Sequence, residues 1–342
     1  MLTCILVLVV TIITTTLATH RGFNYAAQGN DYESFYDQFT LSKTLPGTGS
    51  FSSARLYTML QEDTNGEVIS AIPAALATGT SILLGLWASV DQEQFSKEIN
   101  ALIVAMAQYG PGGLSGSVVG ISVGSEDLYR ASALGAASNA GTGQNISVLL
   151  DYIGQVRSVL KGSVLKDVPV GHVDTLDAYE NDSNGAILDA VDFIGLNIFP
   201  YFSKELENDI SQAANSFWQA YDSMLYRANG KTVWITETGW ATRDPSKVNG
   251  PSPGIENAAN YWSQVACGLA ARCIDFWWYI LSDPADMPFF GVTDADTGHA
   301  LYDLACNETP ICSSGTALGF TTTSRVSSST SVAAHTDEQA CS

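Results

Sequence analysis

Eight short apolar runs, rich in β-branched residues, recur along the chain with longer amphipathic stretches between them. They cover Gly22–Ala26, Ala54–Thr58, Ser81–Ala88, Val118–Gly124, Val168–Val173, Phe193–Phe199, Thr232–Thr236 and Phe276–Leu281. Near-continuous apolarity, rather than strict alternation, marks strands covered on both faces, as in a parallel sheet. The intervals carry the period of helices. In Asp91–Tyr109 the positions Phe95, Ile99, Leu102, Ile103 and Met106 share one face, and Asp91 with Gln94 has the form of a capping box. In Asn145–Leu160 the residues Ile146, Leu149, Leu150, Ile153 and Val156 are expected to point inward. Strands alternating with helices in this number predict an α/β fold, a single (β/α)8 TIM barrel over residues 19–312. A doubly wound open sheet shares the alternation, but no glycine-rich phosphate loop follows the first run.

Both ends of the chain break this pattern. Leu2–Ile13 is almost wholly apolar, and small residues follow around Thr16-Leu17-Ala18. The run is too short to span a bilayer comfortably and reads as a signal peptide over residues 1–18, although no Lys or Arg precedes it. After Cys312, fourteen of the last thirty residues are Ser or Thr and no apolar period survives. Residues 313–342 are therefore expected to be a disordered, O-glycosylated tail. Such tails commonly precede a lipid-anchor signal, whose hydrophobic end is not seen at Gln339-Ala340-Cys341-Ser342. The expectation is a secreted protein of the cell wall or the outer face of the plasma membrane, with anchorage through the tail left open.

Composition agrees with a large core and an extracellular setting. Hydrophobic residues make up 46% of the chain and charged residues 15%. The net charge of −20 repels phosphate backbones and argues against a nucleic-acid partner. Asn145, Asn181 and Asn307 each head a glycosylation sequon. Cys4 would leave with the signal, and Cys267, Cys273, Cys306, Cys312 and Cys341 remain. Their spacing fits no zinc pattern and suits disulfides, with the pairing open and at least one thiol left over. No metal or cofactor is called for, and a monomer is expected.

A barrel enzyme works from the carboxyl ends of its strands. The fourth run delivers Glu126 there, and the seventh, through Trp234-Ile235-Thr236, delivers Glu237. Glycosidic cleavage needs two such carboxyls flanking one bond, about 5 Å apart for retention and further for inversion. One glutamate at a strand end is most often a salt bridge or a cap. Two of them, each on an apolar strand beside glycine, point to chemistry. Tyr25, Tyr57, Tyr201, Trp240, Trp277 and Trp278 lie near the same ends, where rings can stack on sugar faces. In the pair Trp277-Trp278, strand alternation sends one ring into the barrel and the other toward the helices.

At these residues the chain resembles the fungal members of glycoside hydrolase family 17. The segments are Arg21-Gly22-Phe23-Asn24-Tyr25, Gly120–Arg130, Gly171-His172-Val173-Asp174-Thr175, Gly195–Tyr201, Trp234–Trp240 and Phe290-Gly291-Val292-Thr293-Asp294. The resemblance runs from about Gly22 to Cys312. Within the family it is similar to the glucan endo-1,3-β-glucosidase group with Ser/Thr-rich, often GPI-anchored C-termini. It implies endo-acting, retaining cleavage of the β-1,3-glucan of the fungal cell wall, with Glu126 as acid/base and Glu237 as nucleophile. Tyr25, Tyr57, Ser125, Asp174, Asn197, Tyr201, Trp240 and Trp277 are the candidate sugar contacts, although an aromatic at a strand end, taken singly, is more often core than cleft. Ser125 stands where many relatives carry an Asn that contacts the 2-hydroxyl of the sugar. Ser282-Asp283-Pro284-Ala285-Asp286 replaces the Glu-Pro-Trp-Lys-like run of plant relatives, so that loop inherits no catalytic role. A β-1,3-glucanosyltransferase would use the same two glutamates. A non-catalytic glucan-binding wall protein would not need both.

Overall fold

The computed structural model describes residues 19–49, 51–203, 210–245, 252–283 and 288–307. The predicted signal peptide and tail, with Cys312 and Cys341, lie outside the described residues. Eight parallel strands close into a barrel in sequence order. They are β1 (Arg21–Tyr25), β2 (Ser53–Leu56), β3 (Ser81–Leu86), β4 (Val118–Ser125), β5 (Val170–Thr175), β6 (Phe193–Asn197), β7 (Thr232–Glu237) and β8 (Phe276–Trp278). Helices such as Tyr32–Thr44, Gln92–Tyr109, Ile146–Leu160 and Ile210–Arg227 lie in sequence between them, which makes the (β/α)8 barrel read from the sequence. The largest boundary difference is at β8. Its apolar run continues to Leu281, but the chain leaves the sheet after Trp278 and Tyr279 N donates to Thr238 O at 2.9 Å.

The barrel floor is filled by side chains of one strand parity. Leu83, Phe193, Trp234 and Trp277 form a separate buried cluster. The Trp234 ring lies 4.0 Å from Phe193 and 5.7 Å from Trp277, centroid to centroid. Rings this large leave no room for side chains on neighbouring strands. A Cβ on Gly171 would come within 2.4 Å of the Phe193 ring, and one on Gly120 within 2.8 Å of Trp234. The opposite parity packs outward: Trp278 meets Trp262 at 4.9 Å and Tyr261 at 5.7 Å. The alternation expected for Trp277-Trp278 therefore holds.

The helices keep their apolar faces on the barrel, with the stripe shifted in places. Asp91 caps Gln92–Tyr109 by accepting from Gln94 N at 2.9 Å. That helix buries Phe95, Glu98, Ala101, Leu102, Ala105 and Met106. Ile103, expected inward, is 43% exposed, because it lies one helical step round from Leu102 and alanines complete the seam instead. The helix Ile146–Leu160 buries Leu149, Tyr152, Ile153, Val156 and Leu160, while Ile146 and Leu150 stay half-buried. Phe95 and Tyr152 stack at 3.7 Å and join the two helices. Cys267 and Cys306 form a disulfide, and Cys273 is disulfide-bonded as well.

Candidate active site

β2 carries an arginine in an otherwise apolar strand. Arg55 is fully buried on the inner face of the barrel and is held by three acceptors. Its Nη1 donates to Glu237 Oε1 at 2.6 Å and to Asn24 Oδ1 at 2.7 Å, and its Nη2 donates to Ser125 Oγ at 2.9 Å. Asn24 is fixed in turn, because its Nδ2 donates to the carbonyls of Thr236 and Trp277, each at 3.0 Å. A buried charge needs a partner and satisfied hydrogen bonds. Here the partner is the Glu237 carboxylate at the end of β7.

Glu126 follows β4 directly. Its backbone is left-handed (φ 57°, ψ 27°), and its N–H donates to Val173 O of β5 at 2.8 Å. Asn197, at the end of β6, donates from Nδ2 to Glu126 Oε1 at 2.9 Å, and its Oδ1 accepts from Thr236 Oγ1 at 2.7 Å. Asn197 and Glu237 are also partners in the β6–β7 register. The two glutamates are thus tied to one polar ring at the carboxyl end of the barrel. Glu237 joins it through Arg55, which also holds Ser125, and Glu126 joins it through Asn197.

The environments divide the pair chemically. Burial, followed by the charge of Glu237, pushes the Glu126 pKa up to about 7 against the opposing hydrogen bond from Asn197. Glu237 instead faces a guanidinium at ion-pair distance. One carboxyl is suited to hold a proton near neutrality and the other to act as a charged group, the division that acid–nucleophile pairs require.

The structure sorts the other sequence-predicted residues. Ser125 and Asn197 belong to the ring just described. Tyr57 does too: the Arg55 guanidinium lies 4.6 Å over its ring, and burial with the adjacent Glu237 raises its pKa well above the usual value. The remaining five are placed differently from the expectation of sugar contact. Tyr25 has the outward parity of β1 and meets Phe39 edge-on at 4.9 Å. Tyr201 is buried with its hydroxyl donating to Asp244 Oδ2 at 2.9 Å. Trp240 is buried between Tyr201 and Tyr261 and donates to Ser252 O at 3.0 Å. Trp277 is floor core, with Nε1 donating to Ser53 Oγ at 3.0 Å. Asp174 is buried behind Glu126 and accepts from the backbone N–H groups of Leu128, Tyr129 and Thr175. Packing and internal hydrogen bonds occupy these groups, so they shape the site from behind.

Several site residues escaped the sequence reading. Arg55 had a visible signal, as a lone charge inside the run Ser53-Ala54-Arg55-Leu56. Trp87, just after β3, is half-buried with the Arg130 guanidinium 4.6 Å over its ring, and it offers an aromatic surface on the Glu126 side. Glu98 reaches in from its helix and accepts from Met59 N at 2.7 Å, clamping the turn after Tyr57, and burial pushes its pKa up to about 7. Nothing in the sequence distinguishes Glu98 from a surface helix glutamate. Among the described residues no group of three or more His, Cys, Asp or Glu side chains is arranged to hold a metal ion.

Residues 22–286 match the BtgE/BtgC glycoside hydrolase domain. Probable glucan endo-1,3-beta-glucosidases from Aspergillus oryzae and Aspergillus fumigatus are each 44% identical over 302 residues, 86% of this chain. The chain spans 64% and 67% of the length of these two relatives. Among solved structures, a glycoside hydrolase family 17 beta-1,3-glucanosyltransferase from Rhizomucor miehei superposes with a TM-score of 0.65 at 24% identity. That match covers 84% of this chain and 98% of the other. A plant beta-glucan endohydrolase follows with a TM-score of 0.54 at 13% identity, covering 82% and 98%; both matches show the shared fold. The chain belongs to the BtgE/BtgC glycoside hydrolase family.

Proposed function

We propose that the chain is a secreted, endo-acting hydrolase of β-1,3-glucan that works by a retaining two-glutamate mechanism. The carrying observation is the pairing of a proton-holding Glu126 with an Arg55-bound Glu237 at the ends of β4 and β7. Glu126 gives its proton to the leaving glycosidic oxygen while Glu237 attacks the anomeric carbon. Glu126 then takes a proton from the water that releases the glycosyl-enzyme. Asn197 orients Glu126, and Arg55 orients Glu237. Ser125 accepts from Arg55 and keeps its own hydroxyl proton to donate to a sugar hydroxyl. The names of the relatives supply the glucan linkage. The disulfide and the exposed sequon residues Asn145, Asn181 and Asn307 support secretion with N-glycosylation, and cell-wall or membrane retention is part of the same reading.

Product analysis on laminarin tests this reading. Internal cleavage to short β-1,3-oligosaccharides at all substrate concentrations is the expected result. Products longer than the substrate, appearing as its concentration rises, would assign the chain to glucanosyl transfer instead. Absence of any cleavage would leave only glucan binding.

The pH profile provides a second test. The acid must be protonated to act, so kcat/KM should fall as pH rises through about 7. The same shift sets a stability trend. The folded-state pKa lies above the usual glutamate value of 4.5, so this contribution is full below that value and lost as pH rises through about 7. Glu126→Gln should remove the basic limb of activity and reduce the stability trend, the rest of which stays with Glu98, and an unchanged basic limb in that variant would place the titrating acid elsewhere.

A further inference from the structure

Behind Glu126, on the outer face of β5, lies a buried ion cluster that the two-glutamate chemistry does not use. At its centre is His172, fully buried. Its Nδ1 is 2.7 Å from Val123 O and its Nε2 is 3.1 Å from Asp174 Oδ2. A carbonyl oxygen only accepts, so Nδ1 carries a hydrogen. Asp174 acts as an acceptor throughout. Its Oδ2 also takes the Leu128 N–H at 2.9 Å, and its Oδ1 takes the N–H groups of Tyr129 at 3.2 Å and Thr175 at 2.9 Å. Nε2 therefore carries a hydrogen as well, and the ring is an imidazolium.

The groups around it agree. Burial opposes the charge, but Asp174, Asp127 and the Val123 carbonyl outweigh it and raise the His172 pKa. Asp127, at the start of the helix Asp127–Ala131, is itself buried and accepts from Ser89 Oγ, which also receives Arg130 Nη1 at 3.2 Å. Tyr179, from the helix Leu176–Glu180, stands edge-on to the imidazole at 6.3 Å, with its hydroxyl committed to the carbonyls of His172 and Gly195.

This cluster meets the active site through the backbone. Two of the three N–H groups that Asp174 accepts belong to the second and third residues after Glu126, whose own backbone is left-handed. That conformation is unfavourable for a non-glycine residue and persists only where its surroundings enforce it. Asp174 supplies the enforcement, and His172 holds Asp174 in place from behind through its Nε2.

We propose that His172 is a doubly protonated positioning residue that, through Asp174, fixes the helix start holding Glu126 in its left-handed backbone and so aims the acid at the leaving oxygen. The proposal rests on Glu126 being the acid. Nitrogen-15 NMR of the histidine-labelled full chain reads the first half: both His172 nitrogens should still be protonated when pH passes 6.5, the ordinary imidazole value. Loss of either proton at or below that value would overturn the assignment.

Kinetics read the second half. His172→Gln and Asp174→Asn are compared on laminarin and on a dinitrophenyl β-laminaribioside, whose leaving group needs no proton. Laminarin turnover should fall ~10–100-fold in kcat with KM little changed, while the aryl substrate stays within about threefold. Equal loss on both substrates, or no loss on laminarin, would overturn the positioning role. Glu126→Gln, measured alongside, separates the two levels. If it is selective and the His172 and Asp174 variants are not, this inference fails alone; if it is not selective either, the acid assignment itself fails. Should the His172 variant not fold, the Asp174 variant and the NMR of the unaltered protein decide.

Discussion

Glu237→Ala should abolish hydrolysis by ~10^4-fold or more, equivalent to about 5 kcal/mol of transition-state stabilisation, because no neighbouring group replaces a lost nucleophile. Arg55 should remain anchored by Asn24 Oδ1 and Ser125 Oγ, so the barrel should still fold. The space left by the carboxylate admits a small anion. Azide should restore turnover on an activated β-glucoside, with product of inverted configuration, since attack then comes from the face Glu237 used. Glu126→Ala should behave differently: slow on laminarin, far less affected on substrates with good leaving groups, and given retained product by azide. Retained product from the Glu237 variant would mean that the two roles are exchanged.

Arg55→Leu should carry the largest combined penalty. It removes the ion-pair partner of Glu237 and the donor to Asn24 and Ser125 in a single change, at a side chain that is itself fully buried. Breaking one side of a buried pair typically costs about 3–5 kcal/mol, which urea unfolding would register as a lowered midpoint. Turnover should drop ~100-fold or more, because Glu237 loses the guanidinium that aims it at the anomeric carbon. Arg55→Lys should fall between the two, since an ammonium keeps the charge but cannot meet three acceptors with a planar fork. A stable, active Arg55→Leu protein would show that the ring around Glu237 is incidental to its chemistry.

The barrel was legible because its strands are buried on both faces and so appear as uninterrupted apolar runs. The two glutamates were legible because each ends such a run. Side-chain direction was less accessible. Tyr25 and Tyr57 both sit near strand ends, yet parity sends Tyr25 to the helix side and Tyr57 to the Arg55 side. The pair Trp277-Trp278 showed that one ring must point inward, but whether inward meant floor or cleft depended on height along the barrel. β8 is only three residues long and Trp277 sits beside Ser53 at the start of β2, which makes it floor. Asp174 carried a family signal for function, and its role behind Glu126 depends on backbone N–H groups from another segment, which no side-chain pattern encodes. Arg55 is readable in principle: a charge inside a doubly covered strand requires a buried partner, and the two strand-end carboxylates are the partners available.

Trapping the covalent intermediate tests the central claim most directly. A 2-deoxy-2-fluoro-β-laminaribiosyl fluoride slows release of the glycosyl-enzyme by destabilising the oxocarbenium-like transition state. Mass spectrometry of the digested protein should then find one disaccharide adduct, on the peptide containing Glu237 and on that side chain. Turnover of the reagent without any adduct, or an adduct on Glu126, would contradict a mechanism in which Glu237 is the nucleophile and Glu126 the acid.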